Sequence, residues 1–292
     1  MENTSVASVS VSKRNSKYYV LLPSFNEIKS LPVLIPKLKK VFTKQNWPYH
    51  IIICDDGSND GTCELLSTQF SDMPISVIKH KRNRGLGETI RDLFEHAAEV
   101  SNKDDIIIRM DCDDTHDPSY IPAMISKMHE GYDVVIASRF AKGGGQTGVG
   151  TYRSSISFLA NIMMKIFLHI PGIFEYSCGF RAYRASVIKK AIDLFGNSFI
   201  QLMGLGFTCT LEKLTKLKLM NLRFAEVPFR LHYDRKQSSS KMITSLTTLG
   251  YISLIVCYHW PYGGWKSYIK KLLLPEVEQK TVNSVRPKLY NS

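Results

Sequence analysis

The sequence predicts an α/β fold built on a doubly wound, mostly parallel sheet, with a C-terminal helical extension. Three observations predict it. Short apolar runs of strand length alternate with stretches of helical spacing through the first half of the chain. The strand–helix units recur about every 30 residues, the length of a βαβ unit. Three of the apolar runs end in polar residues: Asn26-Glu27, Asp55-Asp56 and Asp111/Asp113. In open sheets of this class ligands bind beyond the carboxyl ends of the strands. The three ends therefore predict one acidic, polar site assembled from separate stretches.

The elements follow in order. Tyr18 to Leu22 reads as an apolar strand ending at Pro23, and Leu31 to Phe42 has helical spacing. His50 to Cys54 is a second strand, Thr62 to Phe70 a helix, and Ile75 to Ile78 a third strand. Leu86 to Val100 is a helix, with Gly85 and Gly87 near its start. Ile106 to Met110 is a fourth strand, Ile121 to His129 a helix, and Val134 to Ala137 a strand. Gly143-Gly144-Gly145-Gln146-Thr147-Gly148 reads as a mobile loop. Helical patterns follow, then a strand at Phe224 to Pro228 and a polar, basic segment at Arg235 to Lys241. The expected division is a loose tail over 1–16, a catalytic domain over 17–241, and an interfacial helix with a basic tail over 242–292.

Composition narrows the function classes. The chain has 292 residues, enough for a sizeable core, and an ordinary globular balance of 44% hydrophobic and 22% charged residues. Its six cysteines are scattered singly without C-x-x-C spacing, which argues against a zinc site. The N-terminal residues lack the apolar stretch of a signal peptide, so reduced thiols and a cytoplasmic location are expected. A net charge of +12 suits nucleic acid, an anionic membrane surface or phosphorylated substrates. The positive charge is spread over short clusters, and no zinc-finger, RRM-like or basic-zipper pattern is present, which argues against nucleic acid. Two stretches, Ile156 to Phe174 and Met242 to Trp260, approach the length of a membrane span but are interrupted by polar residues, Gly and Pro. They suit a core face or a membrane interface instead.

Asp111-Cys112-Asp113 carries the most chemistry. Carboxylates one residue apart repel each other, and a divalent cation relieves that repulsion and can carry a diphosphate. The same residues also read as an acidic turn before a helix starting at Asp117-Pro118. In Asp55-Asp56-Gly57-Ser58-Asn59-Asp60-Gly61-Thr62, the glycines permit tight turning and Thr62 can cap the next helix. A carboxylate there can accept the ring N–H of a base, guanine or uracil alike, or remain a solvated turn.

Several stretches together resemble glycosyltransferase family 2. They are Pro23-Ser24-Phe25-Asn26-Glu27, Asp55-Asp56-Gly57-Ser58 with Asp60-Gly61-Thr62, Asp111-x-Asp113, Gly85-Leu86-Gly87, Ser138-Arg139-Phe140, Gly179-Phe180-Arg181-x-Tyr183, Glu226-Val227-Pro228, and Arg235 with Ser240-Lys241. They span about residues 18 to 245. Within the family the pattern resembles the dolichol-phosphate mannose synthases and their bacterial polyprenyl-phosphate relatives. The resemblance implies a GT-A fold, a nucleotide-sugar donor and a Mg²⁺ or Mn²⁺ ion. It implies that Pro23, Phe25, Glu27, Cys54 and Asp56 line the nucleotide pocket. Asp111, Cys112 and Asp113 would meet the sugar diphosphate and the metal, with Thr115 beside them and Asp113 the direct ligand. Arg139 would hold a phosphate at the reacting centre. Arg235 and Lys241 would close over a phosphate from a flexible loop. Asp113 and Arg139 are the expected catalytic residues.

The implied reaction is an inverting transfer of a hexose, mannose from GDP-mannose, to a polyprenyl or dolichyl phosphate on the cytoplasmic face of a membrane. A phosphate monoester is already anionic at neutral pH, with a second pKa near ~6, so it needs cations rather than a base. A saccharide hydroxyl, the alternative acceptor, would need a carboxylate base, for which Glu175, Glu212 and Asp114 are generic candidates. A catalytically silent nucleotide-binding scaffold is the alternative of another class. Arg153 and Arg181 read as solvated surface charges. Two departures bear on the sugar and the acceptor: Glu175-Tyr176-Ser177-Cys178 stands where the synthases carry an Asp, and Lys236-Gln237-Ser238-Ser239 lacks their loop Gly.

Overall fold

The computed structural model describes residues 16–238 and 244–273. The elements in chain order are β1 (Tyr18–Ser24), α1 (Leu31–Gln45), β2 (Tyr49–Asp55), α2 (Thr62–Gln69), β3 (Ile75–Lys79), α3 (Leu86–Val100), β4 (Ile106–Arg109), α4 (Ile121–His129), β5 (Val134–Ser138), β6 (Gly145–Thr147), α5 (Thr151–Leu168), β7 (Arg181–Arg184), α6 (Ala185–Phe195), α7 (Thr208–Leu219), β8 (Phe224–Pro228), β9 (Arg230–His232), α8 (Thr244–His259) and α9 (Gly264–Leu272). The main sheet runs β3-β2-β1-β4-β7-β5-β8, parallel throughout except for β7, which lies antiparallel between β4 and β5. Most of the expected tail over 1–16 lies outside the described residues, as does Lys241.

Alternation along the strands builds an apolar layer on each face of the sheet. Val20, Leu22, Ile51 and Ile53 bury against Leu31, Leu34, Ile35, Leu38 and Phe42 of α1, which recur at helical spacing. Tyr19, Leu21 and Ile52 point the other way, into a layer with Ile90, Leu93, Phe94 and Ala97 of α3 and residues of α6 to α9. The register sets Ser24 beside Asp55 and Leu21 beside Arg109, so the carboxyl ends of β1, β2 and β4 lie side by side.

Three features differ from the sequence reading. The glycine-rich stretch 143–148 is ordered rather than a mobile loop. Gly145–Thr147 pairs in parallel with β9, and a Cβ on Gly144 would stand 2.4 Å from the Ser138 carbonyl oxygen, which explains a glycine there. The short β7 reads as polar in sequence because two of its four residues are Arg. Arg181 is fully buried, not a surface charge; its guanidinium donates to the carbonyls of Thr210 and Tyr176 at 2.7 Å each. Helix α7 is buried on every side from Thr208 to Leu217, because α3, α8 and α9 enclose it. The side chain of Arg153 lies outside the described residues. Among the described residues no helix is long and apolar enough to cross a membrane.

Candidate active site

The ends of β1 and β2 form the first wall. Asp56 is buried, and the chain's own groups already engage it. Its Oδ1 accepts from the Arg84 backbone N–H at 2.8 Å and lies 2.7 Å from His80 Nδ1, while Oδ2 accepts from the Gly85 N–H at 2.9 Å. The far ring nitrogen of His80 lies 2.9 Å from Asp92 of α3, so two carboxylates hold the ring from opposite sides. Cys54 sits beneath, 3.4 Å from His80, and burial pushes its thiol up to about 12, which makes it an inert wall. The turn after β2 demands glycine at 57: φ is +75°, and a Cβ would stand 2.6 Å from the Arg82 backbone. Glu27 is buried; it accepts from Ser30 Oγ at 2.7 Å, and its N–H donates to Thr62 Oγ1 at 3.1 Å. Pro23 meets the acidic pair directly, since its carbonyl accepts from the Cys112 thiol at 2.8 Å. Phe25, just beyond it along the chain, is half-buried.

The end of β4 holds the carboxylate pair. Asp111 Oδ1 lies 2.7 Å from the guanidinium of buried Arg109, and the Asp111 N–H donates to His116 Nδ1 at 3.0 Å. That bond makes Nδ1 an acceptor, so the neutral ring carries its proton on Nε2. Burial lowers the affinity of His116 for a second proton, against the pull of Asp111 and Asp113. Asp113 Oδ1 accepts from the Thr115 N–H at 3.2 Å and from Thr115 Oγ1 at 2.6 Å, and Oδ2 is bound by Lys236. Burial by itself would raise the Asp113 carboxyl; the Lys236 ammonium and the Thr115 hydroxyl outweigh it and hold the group below its usual range.

Arg139 and Glu175 form a deeply buried ion pair. Arg139 Nε donates to Glu175 Oε2 at 2.7 Å and Nη2 to Oε1 at 2.9 Å, with a further 2.7 Å contact to Ser177 Oγ. Glu175 is fully buried, yet the guanidinium and its hydrogen bonds from Ser177 and the Cys178 N–H overcome desolvation and hold it ionised. Glu226 positions this pair by accepting from the Phe174 and Glu175 N–H groups at 2.7 and 2.6 Å. Tyr251 of α8 lies close by; burial and the Glu175 charge push its phenol up to about 12.

A strap from β9 onward crosses the site. The His232 N–H donates to the Thr115 carbonyl at 3.0 Å, Arg235 Nη1 to Asp117 Oδ2 at 2.9 Å, and Ser238 Oγ to Glu27 Oε1 at 3.0 Å, with Lys236 on Asp113 between them. The site thus brings together Pro23, Glu27, Asp111, Cys112, Asp113, Thr115 and Arg235. The generic base candidates are each paired with a cation: Asp114 with Lys37 at 2.7 Å, Glu175 with Arg139, and Glu212 with Lys216, away from the strand ends. Sequence reasoning missed His80, Asp92, Arg109 and Lys236. Lys236 had a visible signal, being basic and adjacent to Arg235; the others depend on contacts between distant elements.

Asp111 and Asp113 suit a hard divalent cation. They offer carboxylate oxygens, and a cationic ammonium already occupies Asp113. No cluster of three or more His, Cys, Asp or Glu suited to a metal occurs among the described residues, so such an ion would draw its remaining ligands from a diphosphate and water.

The sequence model of the family described as "Glycosyl transferase family 2" matches residues 19–192, more than half of the chain. The chain belongs to glycosyltransferase family 2. This family 2 glycosyltransferase is 29% identical over 223 residues to the undecaprenyl-phosphate mannosyltransferase of Micrococcus luteus, covering 76% of this chain and 86% of that one. It is 31% identical over 214 residues to the dolichol-phosphate mannosyltransferase of Pyrococcus furiosus, covering 73% of this chain but only 56% of that longer relative. Among solved structures it is similar to mannosyl-3-phosphoglycerate synthase from Rubrobacter xylanophilus, with TM-score 0.56, 16% identity, and coverage of 84% and 74% of the two chains. It is also similar to glucosyl-3-phosphoglycerate synthase from Mycobacterium tuberculosis in complex with Mn²⁺, UDP and phosphoglyceric acid, with TM-score 0.53, 15% identity, and coverage of 82% and 78%. At these identities the structures establish the GT-A fold, which the sequence resemblance implied.

Proposed function

We propose that this glycosyltransferase moves mannose from GDP-mannose to a polyprenyl or dolichyl phosphate, with inversion at the anomeric carbon, while resting on the cytoplasmic face of a membrane. The observation that carries the lipid acceptor is the continuity between Arg139 and an apolar surface. The Arg139 guanidinium lies 5.2 Å from the Phe140 ring, and Phe140 packs 5.9 Å from Phe158 of α5. From Phe158 the exposed residues Leu159, Ile162, Ile166 and Phe167 continue along α5, and Phe167 meets His259 at the end of α8. Helix α8 adds exposed Leu249, Ile252 and Val256, with Trp260 just beyond it. Lys266, Lys270 and Lys271 of α9 supply charge for anionic headgroups. A soluble saccharide acceptor has no use for an apolar face beside the reacting centre.

In this reading Asp56, Cys54, Pro23, Phe25 and Glu27 enclose the nucleotide, and Asp111 and Asp113 hold Mg²⁺ or Mn²⁺ with Cys112 and Thr115 supporting them. The ion would neutralise charge on the leaving diphosphate. Arg139, fixed by Glu175, orients the acceptor phosphate, whose anionic oxygen attacks the anomeric carbon without a base. Arg235 and Lys241 close on the diphosphate. The test supplies labelled GDP-mannose, polyprenyl phosphate and Mn²⁺ to the purified protein, with UDP-glucose in parallel. A mannosyl lipid is expected. Transfer to soluble saccharides with none to polyprenyl phosphate would overturn the acceptor assignment, and transfer from UDP-glucose alone would overturn the donor. Phe158→Glu is expected to weaken binding to anionic vesicles severalfold.

A further inference from the structure

We propose that Lys236 is a resident cation on Asp113, which a divalent metal must displace, and that this displacement hands the ammonium to the donor diphosphate. The inference rests on the metal reading above. It starts from an ion pair that neither the family pattern nor the sequence analysis uses: the family's loop motif draws on Arg235 and Lys241, whereas Lys236 lies between them.

The geometry argues for exchange. The Lys236 and Asp113 side chains retain only 12% and 14% of their exposure, so neither charge is solvated well enough to stand alone. The other Asp113 oxygen is engaged by Thr115, which leaves Oδ2 as the oxygen a metal would take, and Lys236 occupies it. Two cations cannot share that position without strong repulsion. The strap has contacts that do not compete with a metal, His232 with Thr115, Arg235 with Asp117 and Ser238 with Glu27. Expulsion of Lys236 therefore loosens the strap without releasing it, and the ammonium stays over the strand ends.

The charges balance. Before binding, Lys236 and Asp113 neutralise each other. A divalent ion with Asp113 leaves one positive charge, and a donor diphosphate with Lys236 leaves one negative charge, held next to each other. Metal alone would strand the ammonium beside the ion, so metal and nucleotide should bind better together than apart. A pocket that already holds a competing cation shows a weaker apparent affinity for its metal, reduced by the fraction of molecules in which the position is free.

The test is direct Mn²⁺ binding to the full chain, followed by electron paramagnetic resonance of free Mn²⁺, with and without GDP or UDP. Without nucleotide, Lys236→Met is expected to bind Mn²⁺ about tenfold or more tightly than wild type. With nucleotide that advantage should shrink or reverse, since the diphosphate loses its cation. Amide exchange over 234–238 should quicken on adding Mn²⁺ to wild type and stay unchanged in Lys236→Met. Lys236→Gln serves if the Met variant does not fold. Equal Mn²⁺ affinities with and without Lys236 would overturn the proposal while leaving the metal reading intact, provided Asp113→Asn abolishes binding. No Mn²⁺ binding by wild type, even with nucleotide, would overturn both.

Discussion

Two ion pairs near the strand ends, Arg139–Glu175 and Lys236–Asp113, join the same kinds of charge in different surroundings. The first is bidentate and deep: Glu175 has no exposed side-chain surface, and backbone N–H groups of 177 and 178 share its charge. The second lies at the mouth, with a single ammonium reaching in from a strap held at separate points. Desolvation raises the cost of breaking either pair, but only the second can exchange its cation for one from solution. The comparison separates two jobs that composition alone would merge under "basic residues near phosphate". One cation is anchored as part of the scaffold, and the other is held in reserve.

The largest effect should come from the exchangeable side. Asp113→Asn is expected to lower transfer by about a thousandfold, the loss typical of a group that stabilises charge only at the reacting centre. Its thermal melt should fall less than that of Glu175→Gln, because the released ammonium sits on a strap at the mouth of the site and can turn toward water; an equal loss would mean that both pairs are structural. Glu175→Gln tests the other side. It leaves the Arg139 guanidinium buried without its counter-charge, and a stability loss of about 3–5 kcal/mol in denaturant titration is expected. Glu175→Asp should recover part of it. If Glu175→Gln melts like wild type, the contrast between the pairs collapses.

A smaller effect is expected at Arg235, whose pair with Asp117 is partly exposed. Arg235→Ala should change stability by less than about 1 kcal/mol. It should raise the donor KM about tenfold, since a charge-assisted bond to phosphate contributes on that scale. The smallest effect is a pH dependence. Asp113 and Glu175 are both held below their ordinary carboxylate range, so each contributes stability that is fully present above the unfolded-state value, and lost as pH falls through the folded one. The denaturant midpoint should therefore fall as the pH drops below about 4, the ordinary carboxylate range. Lys236→Met should remove the Asp113 share of that slope and leave the Glu175 share.

How much of this was legible in sequence differs by region. The strands at 18, 49, 75, 106 and 134 and the helices between them follow from local periodicity, and the observed bounds differ from those expected by a few residues at most. The acidic ends of β1, β2 and β4 were visible because a parallel sheet with short crossovers must set such ends together. Arg181 was misread because a charged residue in a short polar stretch carries no local sign of burial; only the carbonyls of Thr210 and Tyr176, from other elements, make its burial tolerable. The strand at 145 was misread because glycine-rich segments reveal flexibility and not the partner that removes it.

The sequence by itself determined the doubly wound sheet, the acidic strand ends and the family to which the chain belongs, since each is written in contiguous residues with a fixed period or spacing. Tertiary structure alone decided which cation meets which carboxylate: Arg109 for Asp111, Glu175 for Arg139, Lys236 for Asp113. The physical reason is that a charge can be assigned a role only when its partner and its access to water are known, and both depend on residues far away in the chain.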